Sequence, residues 1–466
     1  MQTFNNVLDK MNVVIGMIVG VAFAFQIVYL LLFWLPVKRY PEAKTKHKVG
    51  IIICARNEEA VIGRLIKNLQ QLNYPKDKYE IIVMADNCSD KTAEIARKLS
   101  GEVPVLVFER HEENKKKHNV GWALNYLFEH LENYDEKYEF FVRFDADAIV
   151  DKEYLNVMNN AFDGGAMAAK GYNHASNLTQ NLTAGVSGLW YIRDSRFNCQ
   201  ARAGLHTDVF MVGCGMMFAS SIVKEYGGWH CTTRSEDTEF TIRCIDKKKK
   251  VRYCPDAIIY DDQPSTLKDL FKRNVRMGHS LHKLFWTDGV KCLGKFFTSF
   301  RYSYLDMFLN LFFIPIAVLC CIWFPAYYIY QFIYCGVVGD MALLRYHLWF
   351  IGILIGFAFL IPFIAQAFLV CLLERKKLGV PFKKVFWSCI AFPMFMIMWA
   401  IGIVWGVFSK QKWSQPKRNV DFVDNQFVLE SVNNPQIKST LKEKNNVQKL
   451  SQKTKKSKTY KYVNNE

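Results

Sequence analysis

Four stretches of this chain run for about 25 residues or more without a formal charge: 11–37, 307–339, 348–373 and 385–409. As a helix, a run of that length crosses about 30 Å of hydrocarbon. Lipid admits only helices and closed barrels, because every backbone N–H and C=O there must find its partner within the protein. The chain therefore reads as a membrane protein with a block of mixed composition, 38–294, set between apolar ends. A cleaved signal peptide is the rival reading of the first stretch, but its apolar run is too long and no small-x-small site follows it. Residues 1–10 form a short N-terminal segment, 295–409 hold interfacial and transmembrane helices, and 410–466 are a basic tail with little to bury, expected to be largely disordered.

Charge gives the orientation. Lys38, Arg39, Lys44, Lys46 and Lys48 follow the first stretch, and Glu374-Arg375-Lys376-Lys377 with Lys383-Lys384 separate the last two. The positive-inside rule puts both groups, and the block, in the cytoplasm of a multi-pass plasma-membrane protein. Four complete spans would send the Lys-rich tail outward against the same rule. Pro393, or Pro315 and Pro325, is therefore expected to mark a re-entrant or interfacial piece that returns the tail to the cytoplasm.

The net charge of +17 resides largely in these clusters, which flank membrane segments and lack the aromatic-interleaved stripe that single-stranded nucleic acid needs. An anionic leaflet is the expected partner, and nucleic acid is not. The 13 cysteines form no CxxC pair and no Cys/His group at ligand spacing, so they read as small buried hydrophobes in a reducing compartment. The Asn177 and Asn181 sequons are expected to be unmodified on that side.

Within the block, strand and helix alternate. Apolar runs at 49–54, 79–85, 103–108 and 138–144 read as strands, with helices at 60–72, 90–99 and 120–131 between them. This pattern implies an α/β fold with a mostly parallel sheet covered by helices on both faces. Ligands of such sheets bind beyond the carboxyl ends of the strands, and the polar motifs fall there: Ala55-Arg56-Asn57-Glu58, Asp86-Asn87-Cys88-Ser89-Asp90 and Asp145-Ala146-Asp147. Asp145 and Asp147, one residue apart at a strand end, point to one side and suit a hard divalent cation, Mg²⁺ or Mn²⁺, held against a diphosphate. Glu236-Asp237 supplies a later acid able to act as general base, and Arg273 and Arg276 can take the charge of a departing phosphate. Each motif alone has a plainer reading. Asp86 through Asp90 also suits a turn and helix cap, and Glu236-Asp237 also suits the acidic first turn of a helix. Their joint order along one sheet edge points to transfer from a nucleotide-activated donor.

With these motifs in hand, the chain resembles the membrane-embedded family 2 glycosyltransferases, a group that includes cellulose, hyaluronan and poly-N-acetylglucosamine synthases. The resemblance covers roughly 48–286 and the flanking spans, and rests also on Gly213-Cys214-Gly215, Gly227-Gly228-Trp229, Ser235-Glu236-Asp237 and Asp261-Asp262-Gln263-Pro264. It implies a nucleotide-diphospho-sugar transferase (GT-A-like) fold and a UDP-sugar donor. Asp86 would meet the uracil, Asp145 the nucleotide, Asp147 the metal, and Asp237 would be the base.

Two departures stand out. Where polymerising relatives carry Gln-x-x-Arg-Trp, this chain has Arg273-Asn274-Val275-Arg276-Met277, and Ser235 replaces the usual Thr. The missing Trp bears on processive polymerisation and leaves transfer itself intact; Trp190, Trp229 and Trp286 are spare aromatics for an acceptor or for the core. The expected function is inverting transfer to a growing β-linked polysaccharide. The alternatives are non-processive transfer to a lipid or lipid-linked sugar, and an inactive membrane partner or nucleotide-sugar sensor. The sugar and any accessory subunit stay open.

Overall fold

A computed structural model describes residues 2–409, so the tail expected over 410–466 lies outside the described residues. Eight strands form one sheet: β1 Val49–Ala55, β2 Tyr79–Asp86, β3 Val105–Arg110, β4 Phe140–Asp145, β5 Ile149–Val150, β6 Ala168–Ala175, β7 Met216–Ala219 and β8 Val251–Asp261. Their spatial order is β3-β2-β1-β4-β7-β6-β8-β5. The first four are parallel, with Ile51 beside Ile81 and Val142, whereas β7 is antiparallel to both of its neighbours and β5 is antiparallel to β8. The sheet is thus parallel where the alternating sequence predicts it and mixed beyond.

Both faces of the parallel half are covered, which explains its unbroken apolar strands. Val49, Ile51 and Ile53 pack with Ile62, Leu65 and Ala96 on one face, while Ile52, Ile82 and Met84 pack with Ala123, Leu124 and Leu127 on the other. Each Val, Leu, Ile or Met side chain among them, fully buried, contributes about 1.5–3 kcal/mol. The strand carboxyl ends, and with them the motif loops, converge on one edge.

Four helices are long and apolar enough to cross a membrane: Gln2–Leu31, Tyr302–Val338, Met341–Leu373 and Phe382–Phe408. All four begin earlier than the uncharged runs and so take in charged residues, several of which find partners or lie at a helix end. Asp9 accepts from the Tyr327 hydroxyl at 2.8 Å and from Gln331 Nε2 at 2.7 Å. Asp306 takes two hydrogen bonds from Arg202, at 2.8 and 3.1 Å. Asp340 caps the third helix through the Ala342 and Leu343 N–H groups.

Pro315, Pro325 and Pro393 all sit inside continuous helices. The last helix nevertheless lies along the block. Its start packs on helix Leu182–Arg193, where a Cβ on Gly185 would come 2.2 Å from Ser388 Oγ. Its middle faces the same helix, with Trp190 and Trp399 ring centroids 6.4 Å apart. Its end meets helix Leu267–Leu284 backbone to backbone: a Cβ on Gly278 would lie 2.3 Å from the Ile403 carbonyl oxygen, and one on Gly406 would lie 2.2 Å from that of Val275.

Candidate active site

One cavity of about 1400 Å³ runs from the carboxyl edge of the sheet into the apolar helices. Ala55, Arg56, Glu58, Asp86, Asp145, Asp147, Glu236, Asp237, Arg273 and Arg276 all line it. Asn57, in the left-handed region at φ 55°, instead braces two loops, its Oδ1 accepting from Ser89 N at 2.8 Å.

Beneath the acids sit two arginines that the sequence reading passed over. Arg143, on β4 and 4% exposed along its side chain, reaches Asp145 Oδ1 at 2.5 Å and Glu236 Oε1 at 3.4 Å. It therefore ties the acid pair at the strand end to the one from the later helix. Arg110 donates to Asp86 Oδ1 at 2.7 Å and also meets Glu112 at 3.3 Å. A lone cation within the apolar run Phe140-Phe141-Val142-Arg143-Phe144 was the available signal, since a buried charge demands partners. Burial raises the Asp86 carboxyl pKa, against the pull of Arg110.

Asp237 opens helix Glu236–Asp246. Its Oδ2 accepts from the Gly213 N–H and its Oδ1 from the Thr238 N–H, both at 2.7 Å. Gly213 and Gly215 adopt φ of +75° and +78°, a region other residues rarely enter, and so bring the loop's backbone up to the acid. Burial lifts the carboxyls of Glu236 and Asp237 above the ordinary range, opposed for Glu236 chiefly by Arg143 and for Asp237 chiefly by the Gly213 N–H. Ser235 Oγ hydrogen-bonds Ser280 Oγ at 2.6 Å, fixing the motif to helix Leu267–Leu284. On that helix Arg273 is engaged with Gln263 Oε1 at 2.9 Å and Ser187 Oγ at 2.7 Å, while Arg276 is the more exposed of the two. Gln263, which lines the cavity, is in turn held by the buried Asn177 amide.

A third carboxylate joins Asp145 and Asp147. Asp261, at the end of β8, is pushed up to about 7 by burial and then by repulsion from Asp147 and Asp145, and among the described residues its buried Oδ1 has no hydrogen-bond partner. Among the described residues no three acid, His or Cys side chains form a ready-made metal cage. The arrangement suits a cation that takes part of its shell from substrate oxygens.

The spare aromatics separate. Trp229 is core, 2% exposed and stacked on Phe240 at 4.8 Å; Trp286 is 60% exposed; Trp190 lines the cavity, as does Met277. All thirteen cysteines are free and most are buried, with Cys214 Sγ accepting from Asp145 N at 3.2 Å.

The family model described as "Glycosyltransferase like family 2" matches residues 47–280, half of the chain. The chain is 29% identical over 237 residues to the probable glycosyltransferase YdaM of Bacillus subtilis, covering 49% of this chain and 54% of that one. It is 30% identical over 201 residues to the beta-monoglucosyldiacylglycerol synthase of Trichormus variabilis (43% and 42% covered). It is 26% identical over 246 residues to the poly-beta-1,6-N-acetyl-D-glucosamine synthase of Staphylococcus aureus (52% and 56%). The chain thus spans about half the length of the curated relatives it matches. Among solved structures, the mannosyltransferase PcManGT of Pyrobaculum calidifontis, in complex with GDP-Man and Mn²⁺, superposes with a TM-score of 0.54 at 14% identity, over 85% of this chain and 99% of that one. The GT-A-like sheet and the matched half of the sequence agree, and the chain belongs to the family 2 glycosyltransferases.

Proposed function

We propose that the protein is an inverting, multi-pass membrane glycosyltransferase that moves a sugar from a UDP-sugar to an acceptor hydroxyl of a membrane lipid. The observation that carries this reading is the cavity. It holds the acids at one end and is walled at the other by Ile27, Leu31, Phe313, Phe359 and Trp399 from four apolar helices. A lipid presented there meets the acids without leaving its apolar surroundings.

Asp237, held by the Gly213 and Thr238 N–H groups, takes the proton as the acceptor oxygen attacks the anomeric carbon. The bond to the diphosphate breaks with its electron pair, and UDP leaves past Arg276 and Arg273. One displacement inverts the anomeric centre, so an α-linked donor yields a β-linked product. A Mg²⁺ or Mn²⁺ held by Asp147 with Asp145, close to Asp261, would neutralise the diphosphate. Arg143 orients Asp145 and Glu236 and touches no reacting atom.

The last helix, with both ends against extramembrane elements, is read as interfacial. Three crossings then leave the block and the end of the last helix on one, cytoplasmic, side, in accord with the positive-inside rule. A growing β-linked polysaccharide is the second reading, favoured by the cavity-lining rings of Trp190 and Tyr191, on which a sugar can stack. Purified protein with Mn²⁺, labelled UDP-glucose or UDP-N-acetylglucosamine and dioleoylglycerol separates the two: organic-extractable label is expected, and label in high-molecular-weight material would establish the polymer.

A further inference from the structure

Helix Leu182–Arg193 continues through a π-helical stretch, Asp194–Cys199, into Gln200–Gly204, along the seam between the block and the membrane helices. Three arginines on it face those helices, and two are matched by charge. Arg196 Nε lies 3.3 Å from Glu374, and Arg202 forms a two-point pair with Asp306. Arg193 is different. Its Nε donates to the neutral amide oxygen of Gln366 at 2.9 Å, and among the described residues no carboxylate lies within ion-pair distance of it. Its neighbour Asp194 turns away, to Lys170 at 3.3 Å and Asn198 at 2.8 Å.

Arg193 nevertheless lines the cavity, is only 9% exposed, and shares that part of the wall with Phe359, Phe363 and Trp399. Burial draws its pKa below the usual arginine range, opposed only by Asp194. A guanidinium withdrawn from water without a counter-charge is costly, and its planar fork of donors fits a phosphate in two-point geometry. The two neighbouring arginines show that the facing apolar helices supply carboxylates, Glu374 and Asp306, where the pairing is structural. The absence of one at Arg193 leaves room for an anion brought by a ligand.

We propose that Arg193 is an anion subsite for an acidic membrane lipid, whose phosphate pairs with the guanidinium while its chains lie against Ile27, Phe313 and Phe359. This deepens the lipid-acceptor reading and rests on it: the acceptor would be an anionic phospholipid, and neutral diacylglycerol the poorer occupant.

The test uses the full chain in phosphatidylcholine nanodiscs containing either dioleoylphosphatidylglycerol or dioleoylglycerol, for the wild type, Arg193→Gln and Gln366→Glu. Lipid binding and UDP binding with Mn²⁺ are measured side by side. The second variant places a carboxylate beside Arg193, so it retains a paired charge even if Arg193→Gln folds poorly. The wild type is expected to bind phosphatidylglycerol at least about tenfold more tightly than dioleoylglycerol, equivalent to about 1.4 kcal/mol. Both variants are expected to lose that preference and to bind UDP as before. An unchanged preference in folded Gln366→Glu overturns the proposal. Inorganic phosphate competing as strongly as the lipid also overturns it, reducing the ligand to a free anion. A wild type that binds no UDP contradicts the transferase reading instead, and the lipid preference still decides the subsite.

Discussion

The two ends of the cavity are built by opposite means. At the sheet edge, charges are crowded and answered: Arg143 spans Asp145 and Glu236, and Arg110 holds Asp86. At the membrane end the wall is aliphatic and aromatic, and its position comes from close helix packing around Gly185, Gly278 and Gly406. A polar, charge-braced end suits a donor whose phosphates must always sit in one place. An apolar end defined by helix contacts suits an acceptor that enters from the bilayer. The difference teaches that stability and chemistry are coupled at the first end and separable at the second.

The largest effect should come from the brace itself. Arg143→Met leaves the buried Glu236 without its cation, and the part-exposed Asp145 without its partner, and is expected to cost about 3 kcal/mol in unfolding free energy, with transfer abolished. Arg143→Lys should recover part of the stability and little of the transfer. A thermal or denaturant midpoint unchanged in Arg143→Met would show that the sheet edge does not depend on charge pairing. At the other end, Gly278→Ala drives a methyl group into the Ile403 backbone and is expected to cost about 1–3 kcal/mol. The last helix should shift, raising the KM for acceptor while UDP affinity, measured by calorimetry, stays put. If UDP affinity fell in parallel, the two ends would not be separable. The smallest effect is expected at Trp286, which is exposed and outside the cavity lining: Trp286→Ala should stay within about 0.5 kcal/mol in stability and leave transfer rates unaltered.

The same contrast governs what the sequence made legible. The parallel strands could be read because their apolar runs are local and their loops must carry the polar motifs, so Asp86, Asp145 and Asp147 arrive at one edge by the rules of the fold. Asp237 followed from order and from the family resemblance. Arg143 and Arg110 were overlooked although each sits as a lone cation beside an apolar run, where burial forces an ionic partner. Asp261 stood in a quoted motif, yet its approach to Asp145 and Asp147 depends on the β6–β8 pairing, which no local pattern specifies. The membrane end was least legible. Charge-free runs located the helices, but Asp9 and Asp306 lie inside helices with partners far along the chain, hydrogen bonds from Tyr327 and Gln331 for the first and the Arg202 cation for the second. That Phe382–Phe408 lies along the block is a property of contacts between segments more than a hundred residues apart, and periodicity carries no trace of it.

The most direct measurement of whether the braced acids perform the transfer, with Asp237 as the base, compares Asp237→Asn with wild type in lipid, recording sugar transfer and UDP affinity on the same preparation. Asparagine keeps an oxygen for the Gly213 N–H and loses only the basicity. Transfer should fall about 10²–10⁴-fold with UDP binding nearly unchanged. Transfer within a few-fold of wild type, in a variant that binds UDP normally, would contradict the assignment.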